Sequence, residues 1–412
     1  MLLNSNFNLN YMKFAHIADV HIGGWREPKL SDLSVKAFKK SVKICISRQV
    51  DFVLIAGDLF NTSLPSIDRL KVVVHYLRKL KNNDINVYII AGSHDFSPSG
   101  KTMLEVLEEA GLVINVVKGK IVDNKLKLNF TIDGKTGAKI TGMLGKKGML
   151  EKKYYENLLK HNLEKEEGYK IFMFHSALQE FKPPELANMD AHPLSLLPKH
   201  FNYYAGGHVH YIFSKEEKDY GLITYPGALF PNNFAEMEKY GKGGFYIVED
   251  DKLEYVDIEL HPHVGIKIDV NHNTPLEVEN MLLKKVTESD VQNSIVTIRL
   301  KGILENGKIS DIDFNRIFER GYEKGAFFVM KNTSALKTAE FEELKIEAVE
   351  AKVVEDNLIK EHLGQIQLGI DDEEKLIHQL MRTLNTYKQE GERVIDFEKR
   401  VIDDMDNIVN KN

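Results

Sequence analysis

The chain has 412 residues, more than one hydrophobic core usually contains, so we expect two or three domains and exclude a peptide, a lone binding module or a fibre. The single cysteine excludes a disulfide framework and a cysteine-ligated zinc site, and no apolar run approaches the ~18 residues of a membrane span, so we expect a cytoplasmic protein without a membrane partner. The net charge of −6 is uneven, because residues from Glu340 onward carry 19 acidic and 10 basic side chains, which leaves the rest of the chain mildly basic.

Short apolar runs alternate with amphipathic segments between residues 13 and 118. The alternation predicts buried strands at 13–18, 52–56 and 87–91 and helices at about 31–49 and 66–81. A β-α-β-α-β order of this kind implies right-handed crossovers and a sheet that is covered on both faces. Ligands of such a sheet bind beyond the carboxyl ends of its strands.

Further elements are predicted along the rest of the chain, and the last two strands before residue 260 should form an antiparallel pair. The strands lie at about 112–118, 125–131, 138–144, 170–174, 203–205, 243–248 and 253–260, and a helix lies at about 150–163. Residues 265–331 predict a smaller β-α-β-α-β unit. Beyond residue 340, apolar residues recur at helical spacing on both sides of Gly391, which predicts two helices with an apolar stripe. The stripe includes Leu380, Leu384, Ile402 and Met405.

Residues of the types that bind metal ions stand at five predicted strand ends. They are Asp19 with His21, Asp58, Ser93 with His94 and Asp95, His175, and His208 with His210. Each alone is more commonly a structural residue, but their recurrence at strand ends favours one shared site. Imidazoles and carboxylates without thiolates suit manganese, zinc or iron. Two ions fit the set better than one, because a mononuclear catalytic zinc keeps three protein ligands, and an ion pair of this kind is typical of phosphoester hydrolysis.

The order Asp-x-His, Gly-Asp, a His-Asp turn, His and Gly-His-x-His resembles that of the calcineurin-like metallophosphoesterases. Residues 12–23, 56–60, 225–229 and 243–249 are similar, more narrowly, to the DNA double-strand-break repair nucleases of the meiotic-recombination-eleven and SbcD type, above all to archaeal members. The resemblance implies an α/β fold. Its parts would be a calcineurin-like core of β-α-β layers with a two-metal site at strand ends, a smaller α/β capping domain and a C-terminal helical tail.

With this resemblance we predict a flexible extension and three further parts of the chain. They are the extension at 1–11, the nuclease domain at 12–260, the DNA-binding capping domain at 261–340 and the partner-binding tail at 341–412. The resemblance also implies two Mn²⁺ ions per subunit. Asp19, His21 and His210 would hold one ion, Ser93, His175 and His208 would hold the other, and Asp58 would bridge them. His94 would act on the scissile phosphate as a catalytic residue, and Asp95 would orient it.

The chain departs from the family pattern at positions that bear on the site. Ser93 stands where the family has Asn, so a shorter hydroxyl replaces an amide oxygen, and we expect weaker binding of the second ion. Asn61 stands where the family often has a second histidine that contacts phosphate. Ala228 and Pro231 replace a usual Ser and a usual Arg, which leaves the substrate contacts of that stretch open.

These observations predict a two-metal-dependent DNA nuclease that processes ends in double-strand-break repair. By resemblance it would be a 3′–5′ double-strand exonuclease and a single-strand endonuclease, acting on double-stranded ends, hairpins and single strands. A small-substrate phosphodiesterase or phosphatase of the same fold is the first alternative, although the long extension after the catalytic core favours the nuclease. A weakly catalytic DNA-bridging subunit stays open because of Ser93.

The acidic tail with its apolar stripe favours a protein partner over DNA. The resemblance implies that this partner is the SMC-like coiled-coil ABC ATPase subunit of the repair complex, which the C-terminal helices would grip. It also implies a homodimer and association with the nucleoid. The alternative, in which the two helices fold back on the second domain, stays open.

Overall fold

The computed structural model describes residues 12–97, 100–146, 148, 150–250, 252–338, 373–386 and 394–409. The extension predicted at 1–11 and most of the first half of the predicted tail lie outside the described residues. Among the described helices, none combines the length and apolar character that are needed to cross a bilayer.

The described chain contains 17 strands and ten helices, apart from short 3-10 turns. From residue 12 to residue 165 the elements are β1 (Lys13–Ile17), α1 (Pro28–Ser47), β2 (Phe52–Ala56), α2 (Ile67–Asn82), β3 (Asn86–Ile90), α3 (Met103–Glu109), β4 (Ile114–Asn115), β5 (Gly119–Val122), β6 (Lys125–Leu128), β7 (Thr131–Ile132), β8 (Lys139–Gly142), α4 (Lys152–Glu156) and α5 (His161–Glu164). They are followed by β9 (Lys170–His175), β10 (Tyr203–Gly207), β11 (Phe213–Glu217), β12 (Gly221–Tyr225), α6 (Phe234–Tyr240), β13 (Gly243–Glu249) and β14 (Lys252–Ile258). The last group is β15 (His263–Asp269), α7 (Pro275–Glu288), β16 (Ile295–Leu304), α8 (Phe314–Glu323), β17 (Phe328–Thr338), α9 (Glu373–Leu384) and α10 (Val394–Val409).

Two six-stranded sheets form the body of the protein. The first has the order β14-β13-β1-β2-β3-β4, and the second has the order β11-β12-β10-β9-β8-β7. In the first sheet β1, β2 and β3 pair in parallel, whereas β13 pairs antiparallel with both β1 and β14. In the second sheet β8, β9 and β10 pair in parallel. Central strands such as β2 are buried throughout, which explains their continuous apolar sequence.

The two sheets pack face to face over a shared apolar core. Phe14 and Phe52 of the first sheet stack with their ring centroids 5.0 Å apart, and Phe14 meets Tyr203 of the second sheet edge to face at 5.1 Å. The outer face of the first sheet is covered by α1, α2 and α3. His16, on β1, is fully buried and its Nδ1 lies 3.0 Å from the hydroxyl of Tyr203, so it belongs to the core.

The strands β15, β16 and β17 form a separate three-stranded sheet, in which β15 and β16 are parallel. With α7 and α8 between them, they make the predicted smaller β-α-β-α-β unit. By compactness the described residues divide into two units, one with the described residues of 12–269, 277–301 and 313–335, and the other with 270–276, 302–312 and the described residues beyond 335. Within the second unit α9 and α10 contact each other.

The prediction of a sheet with both faces covered is confirmed, with α1, α2 and α3 on one face and the second sheet on the other. The structure differs from the sequence-based prediction in the lengths of some elements. The strand predicted at about 112–118 is the short β4, and the strand predicted at about 125–131 is divided between β6 and β7. The single helix predicted at about 150–163 is two short helices, α4 and α5. The chain between them pairs instead with β6, since Leu126 N donates to Asn157 O at 2.8 Å and Leu159 N donates to Leu126 O at 2.9 Å.

Candidate metal centre

The candidate ligands follow the carboxyl ends of neighbouring strands in both sheets, and the structure brings them together at one edge of the sandwich. Asp19 and His21 follow β1, Asp58 follows β2, Ser93 follows β3, His175 ends β9, and His208 and His210 follow β10. Asp19, His21, Asp58 and His208 adopt positive φ angles of 48°, 46°, 52° and 87°. Such backbone conformations cost L-residues energy and cluster at functional sites.

Glycines make room for these side chains at two points. A Cβ on Gly57, which has a φ of +86°, would lie 2.2 Å from Nδ1 of His175. A Cβ on Gly92 would lie 2.3 Å from Oδ1 of Asp58. Both distances are far below any real contact, so the two strand-end turns must be glycine for His175 and Asp58 to approach the centre.

Asp19, His21 and His210 form the first group of candidate ligands, with one ligand atom from each residue within 4.8 Å of the others. The Nε2 atoms of His21 and His210 are 3.1 Å apart, and Nε2 of His210 lies 3.7 Å from Oδ1 of Asp19. Asp19, Asp58 and His175 form a second such group, in which Nε2 of His175 lies 3.2 Å from Oδ2 of Asp58. That same Asp58 oxygen lies 3.7 Å from Nε2 of His21, so Asp58 stands between the two groups.

Hydrogen bonds from Nδ1 orient two of the imidazoles. Nδ1 of His175 donates to the carbonyl oxygen of Ala56 at 2.8 Å, and Nδ1 of His210 donates to Oε1 of Glu236 at 2.8 Å. Each Nε2 is thereby left with its lone pair directed at the centre. Metal-binding histidines are commonly oriented in this way, with the distal N–H given to a carbonyl or a carboxylate. Among the described residues, Nε2 of His175 has no hydrogen-bond partner although it is buried.

Lone pairs and carboxylate oxygens therefore converge on one small volume. Two Nε2 atoms at 3.1 Å can share at most one proton, so a cation between them and the aspartates resolves the arrangement. Imidazole and carboxylate donors fit manganese, zinc or iron. The residues present thus fit the pair of divalent cations that the sequence predicts.

Charge and burial act against each other within the centre. Burial raises the pKa of Asp19 to about 6, whereas the adjacent imidazoles of His175 and His21 outweigh burial at Asp58 and hold its pKa well below the usual range. Burial alone would lower the pKa of His175, but the neighbouring Asp58 raises it to about 10. Burial is likewise outweighed at His210, where Glu236 and Asp19 raise the pKa to about 9. A cation requires these imidazoles in the neutral form, so its binding must release protons.

Ser93, His94 and Asp95 form the turn beside Asp58. The backbone N–H of His94 donates to Oδ1 of Asp58 at 2.8 Å, and Oγ of Ser93 lies 3.5 Å from Oδ2 of the same carboxylate. Nδ1 of His94 donates to the carbonyl oxygen of Asn61 at 2.9 Å. Asp95, which we expected to orient His94, instead accepts the backbone N–H groups of Gly92 and Phe60 at 2.9 and 3.2 Å, so it shapes the turn.

The structure also allows other roles for His94 and His208 than those that the resemblance implied. His94 joins His21 and Asp58 in a third group with ligand atoms within 4.8 Å, so a ligand role for His94 competes with its catalytic one. His208 belongs to none of the three groups. Its backbone N–H donates to both oxygens of Asp19 at 3.0 Å, and its ring centroid lies 5.2 Å from that of His175.

Glu236 is the residue of this centre that the sequence reasoning missed. It lies near the start of α6, where Asn233 caps the helix by accepting the N–H of Glu236 at 3.0 Å. An Asn followed three residues later by Glu is a helix-start signal, and it could have placed Glu236 on the first turn of a helix. It could not have shown that the carboxylate reaches His210, because that contact joins residues 26 positions apart.

Two cavities flank the centre, and both are bordered by Ser93, His94 and Lys146. The larger, of about 600 Å³, extends along Asn61 and Phe96. The smaller, of about 290 Å³, extends past His175 and His208 to further residues of its far wall, among them Glu151, Asp190 and His192. The volume of the smaller cavity lies at the lower limit for small-molecule pockets.

Glu151 and His192 join the two loops at the far wall of the smaller cavity. Oε1 of Glu151 lies 3.0 Å from Nε2 of His192, and Oε2 accepts the N–H of Lys146 at 3.0 Å. Both side chains are buried. The pair was not predicted from the sequence, since its members are 41 residues apart.

Comparison with known proteins connects this geometry to a family. The model of the calcineurin-like phosphoesterase family matches residues 12–211, which include every candidate ligand. The DNA double-strand break repair protein Mre11 of Methanocaldococcus jannaschii is 32% identical over 278 residues, which cover 62% of this chain and 69% of that protein. Mre11 of Archaeoglobus fulgidus is 28% identical over 384 residues, or 85% of this chain and 84% of that protein. Mre11 of Sulfolobus acidocaldarius is 27% identical over 311 residues, or 71% and 75%.

Proposed function

The chain belongs to the family of the archaeal DNA double-strand break repair protein Mre11, and we propose that it is a two-metal-dependent nuclease that processes DNA ends in double-strand-break repair. The observation that carries this proposal is the convergence of the Nε2 atoms of His21, His175 and His210 on the carboxylates of Asp19 and Asp58. Such a centre has the composition and the strand-end position that phosphodiester hydrolysis requires.

The proposed ligands are divided as the resemblance implies. Asp19, His21 and His210 would hold one ion, Ser93, His175 and His208 would hold the other, and Asp58 would bridge them. When bound, a pair of divalent cations lowers the pKa of water and neutralises the charge of a phosphate. Mn²⁺ is the ion that we propose, because the resemblance to the family implies it; the imidazole and carboxylate donors by themselves fit manganese, zinc or iron.

Within this proposal His94 acts on the substrate. Its Nδ1 is engaged with the carbonyl oxygen of Asn61, which leaves Nε2 available at the mouth of both cavities. A histidine can there protonate the leaving oxygen or stabilise the charge that develops on the phosphate. Asp95 contributes by holding the turn through the N–H groups of Gly92 and Phe60.

The substrate class is the part of the proposal that activity measurements decide. We propose 3′–5′ cleavage of double-stranded ends and endonucleolytic cleavage of single strands and hairpins, with residues 12–260 as the nuclease domain and 261–340 as a cap that guides DNA. The test compares cleavage of blunt linear duplex and single-stranded circular DNA with Mn²⁺ and with Mg²⁺, and uses Asp58→Ala as the inactive control.

The alternatives give different results in the same experiment. Rapid hydrolysis of bis(p-nitrophenyl) phosphate without any cleavage of DNA would identify a small-substrate phosphodiesterase instead. Tight DNA binding with neither activity would identify a DNA-bridging subunit, the reading that Ser93 keeps open. Mn²⁺-dependent cleavage of DNA that is lost in Asp58→Ala supports the nuclease.

A second copy of the chain is the partner that we propose for the surface formed by α2 and α3. Ile67 at the start of α2 is 77% exposed, and Val106 on α3 is 56% exposed. A surface groove of about 290 Å³ runs beside them along Leu70 and Leu112. Arg78, Lys81 and Asn82 also line this groove, and exposed aliphatic residues beside a partly apolar groove with a polar rim favour a protein partner. Ile67→Glu should therefore yield a monomer by light scattering, and an unchanged dimer would contradict this surface.

A coiled-coil ABC ATPase is the partner that we propose for the tail, at the nucleoid. Among the apolar residues of the described tail, Leu384, Ile395 and Ile402 are exposed, whereas Leu376 is buried. Tyr387, also part of the predicted pattern, lies outside the described residues. Removal of residues 371–412 should leave cleavage of single-stranded DNA intact and abolish co-purification of the ATPase, because no proposed ligand lies beyond His210. A large fall in the melting temperature with ATPase binding preserved would assign these helices to the fold instead.

A further inference from the structure

Helix α6 carries two carboxylates that leave it in different directions. Glu236 and Glu238 are two positions apart, which separates their side chains by about 200° around an α-helix. Oε1 of Glu236 lies 2.8 Å from Nδ1 of His210, a proposed ligand of the metal centre. Glu238 contacts a different part of the protein, the three-stranded sheet. The same seven-residue helix therefore contacts both the centre and the small sheet.

The contact between Glu238 and the small sheet is close and partly shielded from water. Nε of Arg299, on β16, lies 2.8 Å from both carboxylate oxygens of Glu238, and Nζ of Lys267, on β15, lies 3.6 Å from Oε1. The side chain of Glu238 is 11% exposed. The guanidinium of Arg299 also lies 5.1 Å from the ring centroid of Phe234, the first residue of α6. A shielded ion pair with a cation–π contact fixes geometry better than an exposed pair does.

The contact between Glu236 and His210 is one to which metal binding is sensitive. A histidine ligand is oriented by the group that accepts its distal N–H, and loss of that group commonly lowers metal affinity about 10- to 100-fold. Oε2 of Glu236 is itself held by the backbone N–H of Asn232 at 2.7 Å. Glu236 therefore moves with the first turn of α6, and any rotation of that turn must shift the acceptor of His210.

We propose that Arg299 and Glu238 are positioning residues for the metal centre, which hold helix α6, and through Glu236 the imidazole of His210, in the orientation where Nε2 faces Asp19 and His21. The proposal rests on the proposed metal-dependent function and goes beyond it, since it makes ligand geometry depend on where the small sheet sits against α6. A displacement of that sheet by substrate or by a partner would change the affinity for the ion held by His210.

The test measures Mn²⁺ binding by isothermal titration calorimetry for Arg299→Gln, for Glu238→Gln and for the double variant. We expect each single variant to lower the Mn²⁺ affinity of the site that includes His210 about three- to tenfold. This loss is smaller than the loss expected when a residue that bonds directly to a metal ligand is removed. The double variant should bind Mn²⁺ about as tightly as the single variants do, because each single substitution already removes the same contact. The charge-exchanged pair Glu238→Arg with Arg299→Glu should recover most of the affinity.

Arg316→Gln is the matched control. Arg316 also forms an ion pair with a buried carboxylate within the β15–β17 unit, since its Nη1 lies 2.9 Å from Oε1 of Glu279. This pair does not involve α6. We expect the control to bind Mn²⁺ as the wild type does, even if its melting temperature without metal falls as far as that of Arg299→Gln.

The outcomes separate this inference from the proposed function. Unchanged Mn²⁺ affinity in Arg299→Gln, with two ions bound by the wild type and weaker binding in Glu236→Gln, would overturn the inference alone. An equal loss of affinity in Arg316→Gln and Arg299→Gln would overturn it too, because general destabilisation would then explain the effect. A wild-type protein that binds no ion would overturn both the inference and the function.

Discussion

Replacement of His94 by alanine should separate catalysis from metal binding. The backbone N–H of residue 94 donates to Oδ1 of Asp58 at 2.8 Å, and that bond remains in the variant because alanine keeps the amide. Only the ring is lost, together with its bond to the carbonyl oxygen of Asn61. We therefore expect the fold and the position of Asp58 to survive, and Mn²⁺ affinity to stay within about twofold of the wild type.

The expected loss of activity follows from the role of a positioned acid. A side chain that transfers a proton or stabilises charge in the transition state contributes about 10²- to 10⁴-fold, or about 2.7 to 5.4 kcal/mol of barrier. Single-turnover cleavage of a labelled single-stranded oligonucleotide at saturating Mn²⁺ measures this loss, and calorimetry measures metal binding on the same preparation. His161→Ala is the matched control, because it removes an exposed imidazole on α5 that borders neither cavity, and its cleavage rate should be nearly unchanged.

Three results would refute this reasoning. His94 also lies within 4.8 Å of ligand atoms of His21 and Asp58, a spacing that suits a metal ligand. If His94→Ala lost an ion, or if added Mn²⁺ restored its cleavage rate, His94 would be a ligand and the catalytic assignment would fail. A rate within threefold of the wild type would exclude both roles.

Three further predictions concern the centre and its surroundings. Asp58→Ala should lower the affinity for both ions, because the carboxylate between the two ligand groups is lost. Calorimetry that shows two tightly bound ions in this variant would contradict the prediction. Ser93→Asn should raise the affinity for the second ion by about tenfold, because even residues that only orient a ligand change metal affinity by that much. Cleavage at limiting Mn²⁺ should rise with it. An unchanged affinity would place residue 93 outside the ligand set. Glu151→Ala should lower the free energy of unfolding by about 1 to 3 kcal/mol in urea denaturation, because it leaves Nε2 of buried His192 without its hydrogen-bond partner. Burial would raise the pKa of Glu151, but the hydrogen bond and charge of His192 and the backbone N–H of Lys146 together outweigh burial and lower the pKa. The stabilisation that Glu151 provides is therefore fully present above the ordinary pKa of a glutamate and is lost as the pH falls through the lower pKa of the folded protein.

The strands could be predicted because burial on both faces leaves a direct mark on the sequence. Phe52–Ala56 and Lys170–His175 are buried along their whole length, and each is a continuous apolar run that ends at a ligand or just before one. An apolar run does not indicate which strands lie beside it in the sheet. Nothing in the sequence of β9 says that it pairs with β10 and β8 rather than with β3, so the second sheet was not foreseen.

The candidate ligands were foreseen for the same reason, whereas the groups that orient them were not. A strand end is a local property, and Asp58 or His175 can be recognised from the run that precedes it. The bonds from His210 to Glu236 and from His94 to Asn61 join different loops, and they depend on distances that only the folded chain defines. Asp95 shows the limit of local reasoning, since it is adjacent to His94 in sequence yet bonds to the backbone of Gly92 and Phe60.

Hydrogen bonds within the protein hold the strained turns that carry the candidate ligands. Asp19, His21 and Asp58 are held at positive φ, a conformation that costs a residue with a Cβ about 1 to 2 kcal/mol. Hydrogen bonds between the two strand ends oppose this cost, because Asp19 N donates to Gly57 O at 3.3 Å and His21 N donates to Asp58 O at 2.9 Å. The turns after β1 and β2 thus fix each other, and the fold rather than the ion carries the strain. Metal affinity should therefore depend on how well the surrounding bonds hold the imidazoles, and this is the basis of the proposal that Arg299 affects it.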